Sequence, residues 1–134
     1  RAGTRPSQAA PDAYFTGQVR MDPVIAGMAP SAVSSLIVTF EPGGRTHWHT
    51  HPLGQTIYVL SGYGLAQRAG GPVIALRPGD VVYFEPDERH WHGASPTTAM
   101  AHLAFQEAQD GQAVVWQDPV AEADYLAPVE GGST

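Results

Sequence analysis

The chain has 134 residues, no cysteine and a formal net charge of −6 at neutral pH. This length is that of a single domain, and such a chain buries roughly two thirds of its unfolded surface, so it needs no cross-link to fold. The lack of cysteine excludes a thiolate zinc site and a thiol nucleophile. Only seven Lys and Arg residues are spread along the chain, which argues against a nucleic-acid partner.

No apolar run approaches the roughly 20 residues that a membrane-spanning helix needs. We therefore expect a soluble protein without a membrane partner. The first residue is Arg1, so a cytoplasmic location and a periplasmic one after removal of a signal peptide both remain open.

Residues 1–13 are small and polar and predict an N-terminal arm or edge segment. From Tyr14 onward the apolar period is two, and turn sequences rich in Gly and Pro separate the apolar runs. Short strands at such spacing predict one all-β sandwich or barrel over residues 14–118. The clearest predicted strands are VSSLIVTFE (33–41), QTIYVLSG (55–62), DVVYFEP (80–86) and TTAMAHLAFQE (97–107).

A short helix or tail is predicted over residues 119–134. The run DPVAEADYLAP at 118–128 has a helix-like composition. Asp118 followed by Pro119 is a plausible cap and first-turn pair, so we expect the helix to begin there.

Histidines are concentrated in HWHTHPLGQ, residues 47–55. Alternate side chains of an extended strand share a face, so His49 and His51 lie roughly 7 Å apart and can bind one ion. His47 lies towards the start of the strand, and we place it at the rim of the site. Gln55 follows a turn at 52–54 and has the parity of two apolar residues, Ile57 and Val59, which predicts that it faces the interior.

A second pair, His90 and His92, shares a face in RHWHGA. His90 is placed to complete the ion site from a neighbouring strand. His92 is either a second base or points outward beside Trp91.

The strand at 97–107 carries His102 and Gln106 on the same face as Met100 and Ala104. A face with such polar residues suits a polar-lined pocket inside a barrel. We therefore predict His102 as general base, with a structural histidine as the alternative, and Gln106 as the residue that orients the substrate or His102. On an earlier strand Leu36, Val38 and Phe40 share a parity and predict the apolar wall of the pocket.

Two framed motifs resemble those of the cupin superfamily. Gly43 is followed by five residues, HTH, three residues, Gln55 and six residues to Gly62. Gly79 is followed by Pro86 and then by His90 four residues later. The resemblance implies a single-domain cupin, a jelly-roll barrel, whose metal ligands map to His49, His51, Gln55 and His90. Cupins usually have glutamate where this chain has Gln55, and a hydrogen-bonding role beside the metal is the alternative for that residue.

A narrower resemblance is carried by FEPGGRTHWHTHPLGQT and by HWHGASPTTAMAH. These runs are similar to small bacterial cupins that include manganese-dependent (R)-selective hydroxynitrile lyases. The resemblance implies a divalent metal, manganese first and iron, zinc or nickel as alternatives, and cleavage of (R)-cyanohydrins such as mandelonitrile. His102, Gln106 and His92 are then the expected catalytic residues.

Two other functions remain open at this point. Related cupins cleave alkene or aromatic substrates with dioxygen, and other cupins bind small ligands without chemistry. Four neutral ligands leave a cation nearly its full charge, which favours Lewis-acid chemistry over oxygen chemistry. By analogy with cupins we also expect a homodimer or a higher homo-oligomer, in which the arm at 1–13 pairs with a partner's edge.

Overall fold

The computed structural model describes residues 6–130, and the outermost residues of the predicted arm and tail lie outside that range. Within it the chain forms two sheets. The first sheet has the order β1 (Gln8–Ala9), β3 (Val19–Ala26), β4 (Val33–Phe40), β12 (Met100–Glu107), β7 (Gln55–Gly62) and β10 (Val81–Phe84). All of its strand pairs are antiparallel.

The second sheet contains the shorter strands. Its order is β13 (Val115–Trp116), β6 (His49–Thr50), β11 (His90–Ala94), β8 (Gly64–Arg68), β9 (Val73–Leu76) and β14 (Val129–Glu130). β5 (Arg45–Thr46) also pairs with β11, and β2 (Phe15–Thr16) pairs with β5. The pair of β14 with β9 is parallel, and the others are antiparallel.

The inner faces of both sheets share one apolar core. Phe40, Ile57 and Val59 reach it from the first sheet, and Ala66 and Leu76 reach it from the second. In β7 the alternate residues Gln55, Ile57 and Val59 are buried, whereas Tyr58 and Leu60 are exposed. This alternation confirms the predicted period of two and the inward parity of Gln55.

A second apolar cluster, which we call the outer cluster, consists of Trp48, Leu65, Val73, Trp91, Val120 and Tyr125. Tyr125 belongs to the only helix of the described range, α1 (Glu122–Tyr125). Its hydroxyl donates a hydrogen bond of 2.6 Å to the carbonyl oxygen of Ala94. The C-terminal segment therefore closes over strand β11. No helix in residues 6–130 is long and apolar enough to cross a membrane.

The four predicted strands are found with small changes at their ends, but the predicted helix start is wrong. The cap residue is Ala121, which makes no side-chain capping bond, and not Asp118. The reason is tertiary: the carbonyl of Asp118 accepts a bond from the Trp48 amide, and the Gln117 amide donates to the Trp48 carbonyl. This pairing keeps the chain extended until Val120 is buried in the outer cluster.

The arm at residues 1–13 enters the description at residue 6. Its strand β1 pairs with β3 of the same chain, with Gln8 opposite Met21. The described part of the arm therefore covers an edge of its own sheet, and its pairing with a partner stays a prediction.

Candidate metal centre and cavity

Three buried histidines form a compact group inside the barrel. His49 and His90 are directly opposite each other on neighbouring strands β6 and β11, and His51 follows β6. One ring nitrogen of each lies within 4.8 Å of those of the other two, which is close enough for one metal ion. The predicted ligands His49, His51 and His90 are thus brought together.

The backbone fixes which nitrogen of each ring is free. A carbonyl oxygen only accepts hydrogen bonds, so a neutral ring bonded to one through Nδ1 carries its proton there and leaves Nε2 unprotonated. Outer partners of this kind orient metal-binding histidines. The Nδ1 atoms lie 2.9 Å from the His47 carbonyl oxygen for His49, 2.7 Å from that of Ala113 for His51, and 2.8 Å from that of Glu88 for His90.

Burial keeps these rings neutral. Desolvation lowers the pKa of His49 well below its ordinary value, and the neighbouring His90 and His51 lower it further. Desolvation also lowers the pKa of His51, and it lowers the pKa of His90 to about 3. Neutral imidazole is the form that binds a metal, so the electrostatics and the geometry agree.

Gln55 reaches this group from the first residue of β7. Gly54, with a φ of +83°, donates its amide to the His51 carbonyl and so turns the chain back towards the histidines. The side-chain oxygen Oε1 of Gln55 lies 3.2 Å from His90 Nε2 and 3.1 Å from His92 Nε2. The amide nitrogen Nε2 of Gln55 donates a bond of 3.2 Å to Oε1 of Gln106.

These contacts fit a cation. His90 Nε2 and Gln55 Oε1 both carry lone pairs and repel each other at 3.2 Å unless a positive charge lies between them. The Nε2 atom of His51 is buried and has no hydrogen-bond partner in the described part of the chain. Such orphaned atoms are costly unless a ligand or an ion satisfies them. The donor set of His49, His51, His90 and the Gln55 amide oxygen therefore suits a divalent metal.

His92 and His102 form a separate pair beside the metal group. His92 points inward, with only 3% of its surface exposed, whereas Trp91 lies in the outer cluster on the opposite face of β11. The Nδ1 atom of His92 lies 2.9 Å from Nε2 of His102. Burial lowers the pKa of His102 to about 4, so this ring is neutral at neutral pH.

Gln106 lies on the same wall of the barrel. It was predicted to orient the substrate or His102, and its hydrogen bonds lead to Gln55 and Ser34. It accepts a bond from Gln55, and its Nε2 donates to the carbonyl oxygen of Ser34 at 3.2 Å and to Oγ of Ser34 at 2.9 Å. Gln106 therefore contacts Gln55 directly and has no direct hydrogen bond to His102, because β12 places the side chain opposite Ser34 and Gln55.

Most of these groups, but not His90, border one cavity of about 170 Å³. Its apolar wall includes Leu36, Val38 and Phe40, as their common parity predicted. His49, His51, Gln55, His92, His102 and Gln106 are among the polar lining residues. No Asp or Glu of the described chain lines the cavity, and His90 lies behind Gln55, stacked on Phe84 with 3.7 Å between ring centroids.

The placement of His47 at the rim is wrong. This residue is buried and does not line the cavity, because β5 ends at Thr46 and the strand pattern is interrupted before His49. Sequence reasoning also missed Ser34, Ala113 and Trp116. Ala113 acts through its backbone carbonyl, which leaves no trace in the sequence, and Ser34 acts through its carbonyl and its hydroxyl. Trp116, which lines the cavity, is an aromatic residue near a short β-run and was a detectable signal.

Comparisons with known proteins agree with this geometry. Residues 36–105 match the family model described as a cupin domain. A protein named (R)-mandelonitrile lyase from Granulicella tundricola is 55% identical over 125 residues, which are 93% of this chain and 95% of that protein. Its name indicates a lyase and supports an enzyme here.

Solved structures show the same fold. A cupin-like protein from Thermotoga maritima superposes with a TM-score of 0.87 and 33% identity, covering 98% of this chain and 99% of that one. A cupin-2 domain protein from Rhodospirillum rubrum superposes with a TM-score of 0.70 and 21% identity, covering 92% of this chain and 80% of that one. With its all-β barrel and its inward three-histidine group, the chain belongs to the cupin family.

Proposed function

We propose that this protein is a metal-dependent hydroxynitrile lyase that cleaves and forms (R)-cyanohydrins such as mandelonitrile. The observation that carries the proposal is a single cavity bordered by the metal group, by a neutral histidine pair and by an apolar wall. The similarity to a protein named (R)-mandelonitrile lyase supports the choice of reaction.

His49, His51, His90 and the amide oxygen of Gln55 are the proposed metal ligands. Manganese is the proposed metal, with iron, zinc or nickel as alternatives. A divalent cation held there would polarise the substrate and stabilise the departing cyanide by Lewis-acid chemistry. The neutral ligand set supports this choice over oxygen chemistry, because no carboxylate among the described cavity residues reduces the charge.

The cavity has room for about one aromatic ring. Its 170 Å³ is similar to cavities of about 150 Å³ that bind benzene. The side chains of Leu36, Val38 and Phe40 supply an apolar surface for the ring, which leaves the hydroxyl and nitrile groups for the polar wall.

His102 is the proposed general base. His92 is proposed to hold His102 in place, and Gln106 is proposed to hold Gln55 in place. His102 accepts the hydroxyl proton, and the O–H electron pair forms the carbonyl double bond as the C–C bond breaks. Cyanide leaves with the C–C electron pair and takes the proton back from His102 as hydrogen cyanide. The lowered pKa of His102 keeps the ring unprotonated before each turnover.

The test is metal analysis combined with an assay of racemic mandelonitrile in air and under argon. Imidazole-rich sites bind nickel or zinc more tightly than manganese, so protein reconstituted with each metal is compared. We expect release of benzaldehyde and cyanide from the (R) enantiomer, with equal rates in air and argon. Strict dependence on oxygen would support the dioxygenase alternative, and metal or ligand binding without turnover would support the ligand-binding one.

The homodimer or higher oligomer stays a prediction. Light scattering of the purified full chain measures it, and a monomer at micromolar concentration would contradict it.

A further inference from the structure

We infer that a chain of hydrogen bonds, which starts at the backbone carbonyl of Ser34 and passes through Gln106, Gln55 and His92, fixes His102 in the form with its proton on Nε2 and its lone pair on Nδ1. Ser34, Gln106 and His92 are then positioning residues. Only the use of that lone pair as a base rests on the proposed function. The order of donors and acceptors stands independently of it.

The direction of the hydrogen-bond chain is set at the Ser34 carbonyl oxygen, which accepts hydrogen bonds and cannot donate one. The carbonyl oxygen of Ser34 lies 3.2 Å from the side-chain nitrogen of Gln106. If the Gln106 amide were reversed, its oxygen would face the Ser34 carbonyl oxygen, and only the Ser34 hydroxyl, 2.9 Å away, could donate to it, so the carbonyl contact disfavours that orientation. The oxygen of Gln106 therefore faces Gln55.

The same logic fixes Gln55. Its nitrogen lies 3.2 Å from the Gln106 oxygen, so this nitrogen donates and the Gln55 oxygen points to the histidines. A carbonyl oxygen has two lone pairs. One of them accepts the His92 Nε2 proton at 3.1 Å, and the other is left for the metal group.

The histidine pair continues the order. His92 carries its proton on Nε2, so its Nδ1 is an acceptor in the neutral ring. The Nε2 atom of His102, 2.9 Å away, must then donate to it. Nδ1 of His102 is left unprotonated: this atom is buried and makes no hydrogen bond of standard geometry in residues 6–130, although the backbone carbonyl of His102 itself lies close to the ring.

The side-chain amide of Gln55 therefore contacts both the metal group and the histidine pair. When Gln55 turns its oxygen towards the metal group, the same oxygen accepts a hydrogen bond from Nε2 of His92. His92 then accepts from Nε2 of His102, which leaves the lone pair of His102 on Nδ1. Because Nε2 of His102 is occupied by His92, Nδ1 is the ring nitrogen of His102 that keeps a lone pair. Reversal of any one member would place two acceptors or two donors in contact.

The test is nitrogen-15 NMR of the histidine side chains in the full chain loaded with diamagnetic zinc, at pH 7.5. Long-range proton–nitrogen correlations distinguish a protonated from an unprotonated ring nitrogen. We expect wild-type His102 and His92 to be protonated on Nε2 alone. A proton on Nδ1 of either ring would overturn the inference.

Gln106→Met sharpens the test, because methionine has a similar length and makes none of the three hydrogen bonds of Gln106. We expect loss of the single form, with averaged nitrogen shifts for both His92 and His102. Gln67→Met is the matched control, since Gln67 lies in the other sheet and its side chain is likewise held by hydrogen bonds, to Gly71 and Trp91. In that control the shifts should be unchanged. Unchanged shifts in folded Gln106→Met would overturn the positioning role of Gln106. If that variant fails to fold, the wild-type measurement alone decides the tautomers of His92 and His102.

The mandelonitrile assay is run on the same samples. The expected tautomers without cyanohydrin cleavage would contradict the proposed function and leave this inference intact. Cleavage with a proton on His102 Nδ1 would contradict this inference and leave the proposed function intact.

Discussion

The two faces of strand β11 border regions of opposite character. On the outer side, Trp91 is fully buried in the outer cluster and its ring nitrogen donates to Gln67 at 2.9 Å. On the inner side, His90 and His92 are also buried but belong to a polar group. In that group His51 and His102 each keep one ring nitrogen without a hydrogen-bond partner among the described residues.

The outer cluster and the inner histidine group contribute differently to the free energy of folding. Apolar burial in the outer cluster contributes free energy of folding. Burial of neutral histidines contributes less, because each loses water and two of them lack a protein partner for one nitrogen. The inner group is therefore the part of the molecule that a ligand or an ion is expected to complete. Changes on the two sides should separate metal binding and turnover from the free energy of unfolding.

The largest effect is expected from His90→Ala. This variant removes one of three clustered ring nitrogens, so we expect loss of bound metal and of cyanohydrin cleavage down to the background rate. Elemental analysis and the mandelonitrile assay measure both. His47→Ala is the matched control, because His47 is buried but holds His49 only through its backbone carbonyl. A fully metallated His90→Ala protein would contradict the assignment.

His102→Ala should lower turnover by about 10²- to 10⁴-fold, the usual contribution of a general base. Metal content should be unchanged, because His102 contacts His92 and does not belong to the three-histidine group. Steady-state kinetics and elemental analysis on the same sample measure the two quantities. Loss of the metal would show that His102 is a ligand instead.

Trp91→Ala tests the outer side. Truncation of a buried tryptophan should lower the free energy of unfolding by about 3–5 kcal/mol, measured by urea denaturation. At a temperature where the variant stays folded, the metal content per molecule and the turnover should remain near wild type. A loss of metal from folded Trp91→Ala would show that the two faces of β11 are coupled.

The smallest effect is the pH dependence of stability. An unfolded histidine takes up its proton near pH 6.5, whereas folded His102 does so near 4. Between these values the unfolded state holds more protons, so the free energy of unfolding should fall as the pH drops below 6.5 and stay level above it. With EDTA present, His102→Gln should reduce this slope by up to about 1.4 kcal/mol per pH unit. An unchanged slope in urea denaturation from pH 7.5 to about 5 would contradict the lowered pKa.

Much of the fold could be predicted because strand parity is a local property. The parity of Gln55 with Ile57 and Val59, and the inward face of β12 with Met100 and Ala104, are both found in the structure. The helix start could not be predicted, because the pairing of Asp118 with Trp48 joins residues far apart in the chain. His47 has the parity of His49, but the end of β5 breaks the pattern between them.

The sequence by itself determined the kind of barrel and which histidines could meet, because spacing and alternation constrain side chains within one strand and framed motifs place the two strands. Only the tertiary structure decided which atom of each side chain is available. The carbonyl groups of Ala113 and Glu88 accept from Nδ1 of His51 and His90, which leaves Nε2 of each ring unprotonated, and the carbonyl of Ser34 accepts from Gln106, which in turn contacts Gln55. Every residue carries such a carbonyl, so its role depends on the folded position and not on the residue type.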